Sequence, residues 1–215
     1  MIDGTGEARA RVSPALQKEV RLQDCRHWVF DMDGTLTVAV HDFPAIKRAL
    51  NIPPEEDILH HLAALPADEA AAKHAWLLEH ERELAIGSVA AVGAVDLVRA
   101  LHQRGCRLGI LTRNAHELAL LTLAAIGLGD CFATADVIGR GEAIPKPDPD
   151  GLLQLAARWG VAPAELVMVG DYRFDLDCAR AAGAWGVLVN LPDNPWPELT
   201  DHHAVDCQAL LAALQ

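Results

Sequence analysis

Positive charge is in short supply in this sequence. Lys and Arg total 18 against 30 Asp and Glu, a net charge of −12 at pH 7. No basic patch stands out, which argues against a nucleic-acid or anionic-membrane partner. An anionic ligand would have to meet a local positive centre or a metal. Cysteine is sparse too. The five (Cys25, Cys106, Cys131, Cys178, Cys207) are dispersed and never spaced Cys-x-x-Cys. They are expected to be reduced thiols acting as small buried hydrophobes. No apolar run approaches the ~20 residues of a membrane-spanning helix. The opening Met-Ile-Asp-Gly-Thr-Gly-Glu lacks a basic-then-apolar pattern. A soluble, cytoplasmic protein is expected. No internal repeat and no low-complexity tract is present.

What the sequence does have is length and apolar content enough for a full-sized core: 215 residues, 51% hydrophobic. Residues 1–12 are small, polar and aperiodic, and are expected to form a mobile arm. Ser13-Pro14 is a helix-start signal for a short helix to about Leu22. His27 to Phe30 then reads as a buried strand that delivers Asp31 and Asp33 into a Gly-Thr turn. Two carboxylates that close repel each other unless a cation lies between them or one keeps its proton. Taken alone, Asp-x-Asp-Gly is better read as a solvated turn capped by two acids.

From Val38 to about Val89 the sequence predicts only helices. One spans Phe43 to Leu50. A second spans Pro54 to Leu65, with Glu55, Glu56 and Asp57 in its first turn, where the helix dipole favours acids. A third spans Ala67 to Ile86. Strands and helices alternate beyond that point. Gly93 to Arg104 is an amphipathic helix, and Arg107 to Leu111 a strand ending in Thr112-Arg113-Asn114. Asn114 with Glu117 suggests a capping box for a helix to about Gly127. A short strand is expected within Phe132 to Ile138. Asp148-Pro149 opens a helix closed by Gly160. Leu166 to Val169 is an apolar strand running into Gly170-Asp171. A helix from about Asp175 to Gly183, a strand from Gly186 to Val189 and a short helix capped by Asp206 complete the pattern.

Short apolar strands alternating with helices predict an α/β fold, a doubly wound and mostly parallel sheet covered on both faces. Such sheets place their site beyond the carboxyl ends of the strands. That edge would gather Asp31, Asp33, Thr112, Asp171 and Asp175. Lys146, on a loop flanked by Pro145 and Pro147, could reach it. Carboxylates, a hydroxyl and a lysine together describe a magnesium site beside a phosphate site. Individually, Thr112 could instead cap the following helix, and Asp175 could be a helix-start acid.

Asp31-Met32-Asp33-Gly34-Thr35-Leu36, Thr112, Lys146-Pro147-Asp148-Pro149 and Gly170-Asp171-Tyr172-Arg173-Phe174-Asp175 resemble the four ordered motifs of the haloacid dehalogenase-like hydrolases. The resemblance runs from about residue 26 to 190. It includes Leu108 to Asn114 and Ala179-Arg180-Ala181-Ala182-Gly183-Ala184. The helical insert occupies the position of the cap in the phosphoglycolate phosphatase-like branch. The resemblance implies a Rossmann-like core from 1–37 and 90–215 with a helical cap at 38–89. It implies a phosphatase of small phosphorylated metabolites that uses Mg²⁺. Asp31 would be the nucleophile and Asp33 the acid–base. Asp31, Asp33 (through its carbonyl), Asp171 and Asp175 would form the metal site. Thr112, Arg113 and Lys146 would contact the substrate.

Three departures from the family pattern are present. Thr37-Val38-Ala39-Val40 stands where Asp-Ser is frequent, the cap is short, and Tyr172 replaces a small Ser or Thr. A dehalogenase would need neither Asp33 nor Asp171. A phosphomutase uses the same motifs, and a non-catalytic binding module would have lost one of them. Lys47, Arg48, Lys73, His74, Arg82 and Arg113 are candidates to meet a second group on the substrate. Trp76 is expected to pack, and the ten histidines show no ligand spacing. The oligomeric state is not legible.

Overall fold

The computed structural model describes residues 21–40 and 42–215. The expected arm and the helix begun at Ser13-Pro14 lie outside the described residues, apart from Arg21 and Leu22, which lead into a 3-10 turn at Leu22–Asp24. Six strands form one sheet: β1 (His27–Phe30), β2 (Arg107–Leu111), β3 (Val137–Ile138), β4 (Leu166–Gly170), β5 (Trp185–Leu188) and β6 (His202–His203). Their order is β3-β2-β1-β4-β5-β6, and every pairing is parallel. β1 is central, with His27 opposite both Arg107 and Leu166. The chain winds to one side of β1 through β2 and β3, then to the other through β4, β5 and β6. The reversal opens a crevice at the carboxyl end of β1.

Alternation along β1 builds two cores. Trp28 and Phe30 join Ile110, Val167 and Val187 on one face. That face is covered by α4 (Ala94–Gln103), α5 (His116–Ala125) and α8 (Cys207–Ala213). Val29 joins Met168 on the other face, under α6 (Asp150–Trp159) and α7 (Arg173–Ala182). Burial on both faces explains why the strands read as continuous apolar runs.

Between β1 and α4 lie α1 (Phe43–Ala49), α2 (Ile58–Ala63) and α3 (Ala67–Ile86). They enclose a separate cluster of Ile46, Leu50, Ile52, Leu62 and Leu77. The two chain passages joining these helices to the sheet run side by side. Val38 N–H donates to Val89 O at 2.9 Å, and Ala91 N–H to Leu36 O at 2.9 Å.

Several expectations need correction. α2 starts at Ile58, so Glu55 and Glu56 lie in the preceding turn, while Asp57 is the N-cap and accepts from His60 N–H at 3.1 Å. α5 starts at His116 behind Ala115, because Asn114 spends its side chain elsewhere. α7 starts two residues before Asp175, which places that carboxylate at the third helical position. The short strand expected within Phe132 to Ile138 is present as Val137–Ile138, behind a 3-10 turn. β6 was not expected, since His202-His203 carries no strand signal. Trp76 is exposed and stacks on His80 at 5.2 Å rather than packing inside. All five cysteines are free, four of them buried and Cys25 half-buried. Among the described residues no helix is long and apolar enough to cross a membrane.

Candidate active site

The carboxyl edge of the sheet collects the residues that the sequence pointed to. Asp31 is the first residue past β1, fixed by its N–H donating to Val169 O at 2.9 Å. The chain then turns sharply through Gly34, whose φ is +83°. A Cβ there would collide with the Asp171 carboxylate, so the turn needs glycine for both backbone and space. The turn is tied down from outside. Asn190 donates its side-chain amide to the carbonyls of Gly34 and Thr35 at 2.7 and 2.9 Å. Thr35 donates its hydroxyl to Asp171 Oδ1 at 2.8 Å.

Lys146 is the positive centre. Its Nζ donates to Asp31 Oδ1 and to Asp175 Oδ1, each at 2.6 Å, and its side chain is only 3% exposed. Burial opposes the ammonium charge, but the two carboxylates outweigh it and hold the Lys146 pKa above its ordinary value. Asp175 is buried and pushed up despite Lys146. Its second oxygen accepts from Tyr172 N–H at 3.1 Å.

Asp33 lies in the turn, with its Oδ2 accepting from the Asn114 amide at 2.5 Å. Burial, then the charges of Asp31 and Glu81, push its pKa to about 7. A carboxyl titrating there can both give and take a proton near neutrality. Asp171 is raised in the same direction by burial and by Asp31 and Asp175.

One carboxylate oxygen from each of Asp31, Asp171 and Asp175 lies within 4.8 Å of the others. Three carboxylates form an all-oxygen donor set, and burial with neighbouring negative charge holds Asp171 and Asp175 at raised pKa values; such a set suits a hard divalent cation. Thr112, just past β2, is 3% exposed and accepts from Asn114 N–H at 3.1 Å through Oγ1.

These groups line a cavity of about 570 Å³ whose opposite wall comes from α1, α2 and α3. Two ion pairs cross it. Arg113 donates from Nη2 to both oxygens of Asp57 at 2.8 and 2.7 Å. Arg140 contacts Glu81 at 2.8 Å, both side chains being nearly buried. Of the basic candidates, Lys47 and Arg113 line the cavity. Lys73 and Arg82 instead pair within α3, with Glu69 and Glu79.

Sequence reasoning missed Asn114, Arg140, Glu81 and Asn190. Asn114 carried a signal, but it read as a cap. Arg140 and Glu81 are 59 residues apart and carry no mutual signal.

The model of the haloacid dehalogenase-like hydrolases matches residues 25–183, a span that holds Asp31, Asp33, Thr112, Lys146, Asp171 and Asp175. Hexitol phosphatase A of Escherichia coli is 31% identical over 193 residues, covering 80% of this chain and 86% of its own. Phosphoglycolate phosphatase of Rhodospirillum rubrum is 31% identical over 199 residues, covering 75% and 78%. Among solved structures, a hydrolase from Pseudomonas syringae superposes with a TM-score of 0.71 at 25% identity, covering 87% of this chain and 97% of that one. With that match and these relatives, the chain belongs to the haloacid dehalogenase-like hydrolases, in their phosphoglycolate phosphatase-like branch, and is a phosphatase of that family.

Proposed function

We propose that the chain is a magnesium-dependent phosphatase that hydrolyses a small phosphorylated metabolite through an aspartyl-phosphate on Asp31. The observation that carries this reading is the position of Lys146, bridging Asp31 and Asp175 beside the three-carboxylate cluster. Asp31 attacks phosphorus, and the bond from phosphorus to the alcohol oxygen breaks. Asp33 passes its proton to that departing oxygen. A water then attacks the phosphorus of the intermediate, Asp33 takes the water's proton, and inorganic phosphate and the Asp31 carboxylate are restored.

Thr112 supplies a hydroxyl to the phosphoryl oxygens, and Lys146 balances charge on the nucleophile and the transferring group. Asp31, Asp171, Asp175 and the Asp33 carbonyl are the groups that would hold Mg²⁺. Bound there, the metal offsets the repulsion between Asp31 and the phosphate dianion. Arg113 stands at the wall where the alcohol half would lie.

Of the expected division into 1–37 with 90–215 and 38–89, the described residues 21–37 and 90–215 then act as the core and the helices between them as a cap over the cavity. A hexitol phosphate and phosphoglycolate are what the relatives' names give them to act on, which supports a small metabolite here. Five free thiols accord with a reducing, cytoplasmic location.

The test is phosphate release from a panel of small esters with Mg²⁺, with EDTA, and with Asp31→Asn. Turnover lost under both treatments is expected. Turnover indifferent to EDTA would remove the metal from the mechanism, and a folded, metal-binding protein that releases no phosphate would point to a mutase.

A further inference from the structure

Tyr172 is the residue that the motif chemistry leaves unexplained. It follows Asp171 directly, and it is 53% exposed while lining the cavity that holds Asp31, Lys146 and Asp171. It is nonetheless held in place. Its N–H donates to the Asp175 carboxylate at 3.1 Å, and its carbonyl accepts from Asp175 N–H at 3.1 Å.

Its ring is braced by two neighbours. Phe174 meets it edge-on at 5.2 Å and 85°, and Trp196 does so at 5.5 Å and 81°. Phe174 in turn carries the Arg113 guanidinium 5.1 Å over its ring. An aromatic ring fixed in one orientation and still half open to solvent gives up little entropy when something packs on it.

Size and lining agree on what that partner is. A cavity of about 570 Å³ lies within the range of about 300–1,000 Å³ that holds sizeable organic ligands. A two-carbon acid would leave most of it filled with water. Beyond the catalytic groups the wall offers apolar surface from Ile58 and Leu59 and hydrogen-bonding groups from Glu55 and Lys47. That mixture suits a body with an apolar C–H face and hydroxyls around its rim.

We propose that Tyr172 is a specificity-determining residue, a braced platform at the cavity wall that selects phosphate esters whose alcohol half is a hydroxylated six-membered ring over two-carbon acids. This rests on the phosphatase reading above for turnover, though not for binding. The ring's C–H face lies on the Tyr172 phenol while its phosphate sits between Thr112 and Lys146.

Two measurements test it. The first is kcat and KM of the wild type, Tyr172→Ser and Tyr172→Phe on glucose 6-phosphate, phosphoglycolate and acetyl phosphate. The ratio of kcat/KM for glucose 6-phosphate over phosphoglycolate is expected to fall about tenfold in Tyr172→Ser, through KM, and to be kept in Tyr172→Phe. The second is calorimetric titration of Asp31→Asn, with and without Tyr172→Ser, with glucose 6-phosphate and with inorganic phosphate. The sugar phosphate is expected to bind more tightly than phosphate, with that preference lost in the double variant.

Phosphoglycolate as the preferred wild-type substrate, or a preference for the sugar phosphate that survives Tyr172→Ser, would overturn the assignment. If no ester were turned over, the phosphatase reading would fall while the titrations still decided the role of Tyr172.

Discussion

Asn114 reaches back across 81 residues of chain to donate its side-chain amide to Asp33 Oδ2. Its own N–H is held by the Thr112 hydroxyl oxygen at 3.1 Å. A single residue thus joins the end of β2 to the turn after β1 and fixes the spacing of the Asp33 carboxyl against the Thr112 hydroxyl.

Asn114→Ala should therefore lower kcat by about 10²-fold, the scale expected when a reacting group is misplaced by about an ångström. The loss should depend on the leaving group. On the proposed mechanism esters of ordinary alcohols need the Asp33 proton, whereas p-nitrophenolate departs without it. Steady-state kinetics on both kinds of ester check this. Equal losses on the two would show that Asn114 acts on something other than proton delivery.

Lys146 makes a different prediction because it is buried between two acids. Lys146→Met removes the ammonium that pairs with both Asp31 and Asp175 while keeping most of the side-chain volume. Breaking one side of a buried ion pair typically costs about 3–5 kcal/mol. Urea unfolding in EDTA should show a loss on that scale. Added Mg²⁺ should recover part of it by binding the stranded carboxylates. Activity should be lost whether or not Mg²⁺ is present.

The sheet and its edge were legible in the sequence because both are written locally. Buried parallel strands show as apolar runs, and each run from β1, β2 and β4 ends in a residue whose chemistry has no use in a core: Asp31, Thr112, Asp171. The cavity wall was far less legible. Arg140 and Glu81 meet only because α3 folds over the carboxyl end of β3, and neither residue's neighbours announce that. Asn114 shows how a local signal can mislead. Asn-x-x-Glu specifies a capping box when nothing else competes for the amide, and here Asp33 does. β6 escaped for the opposite reason. Two histidines pair beside Val187 and Leu188 at the sheet's rim, where neighbouring strands and not intrinsic propensity decide the conformation.

Glu81 supplies the pH dependence. Burial pushes its pKa above the ordinary 4.5, and the Arg140 charge only partly offsets this. Between 4.5 and the raised folded-state value, the folded protein holds a proton that the unfolded chain has already released. Stability should therefore be greatest below this window, fall as pH rises through it, and level off above it. Glu81→Gln removes the titration while leaving Arg140 an amide oxygen to bond, and it should abolish that part of the slope. It should be neutral or mildly stabilising above the window, because burying the anion costs more than its pairing returns. Denaturant midpoints of the two proteins across pH 4 to 8 decide the point. A variant markedly less stable at pH 8 would show that the pair, and not its desolvation, dominates.

Gly34 tests whether the turn and the acidic cluster are one unit. At φ +83° a side chain is strained, and its Cβ would enter the space of the Asp171 carboxylate. Gly34→Ala should therefore cost about 1–3 kcal/mol of stability from the backbone alone. It should also drive Asp171 away from Thr35, whose hydroxyl holds it at 2.8 Å. Metal affinity should drop with stability if Asp171 is a ligand, so calorimetric titration with Mg²⁺ is the informative measurement. Thr35→Val provides the control, because it removes the same hydrogen bond without straining the turn. Weakened Mg²⁺ binding in both variants would tie the loss to the position of Asp171. Weakening in Gly34→Ala alone would assign it to the turn that carries Asp31 and Asp33.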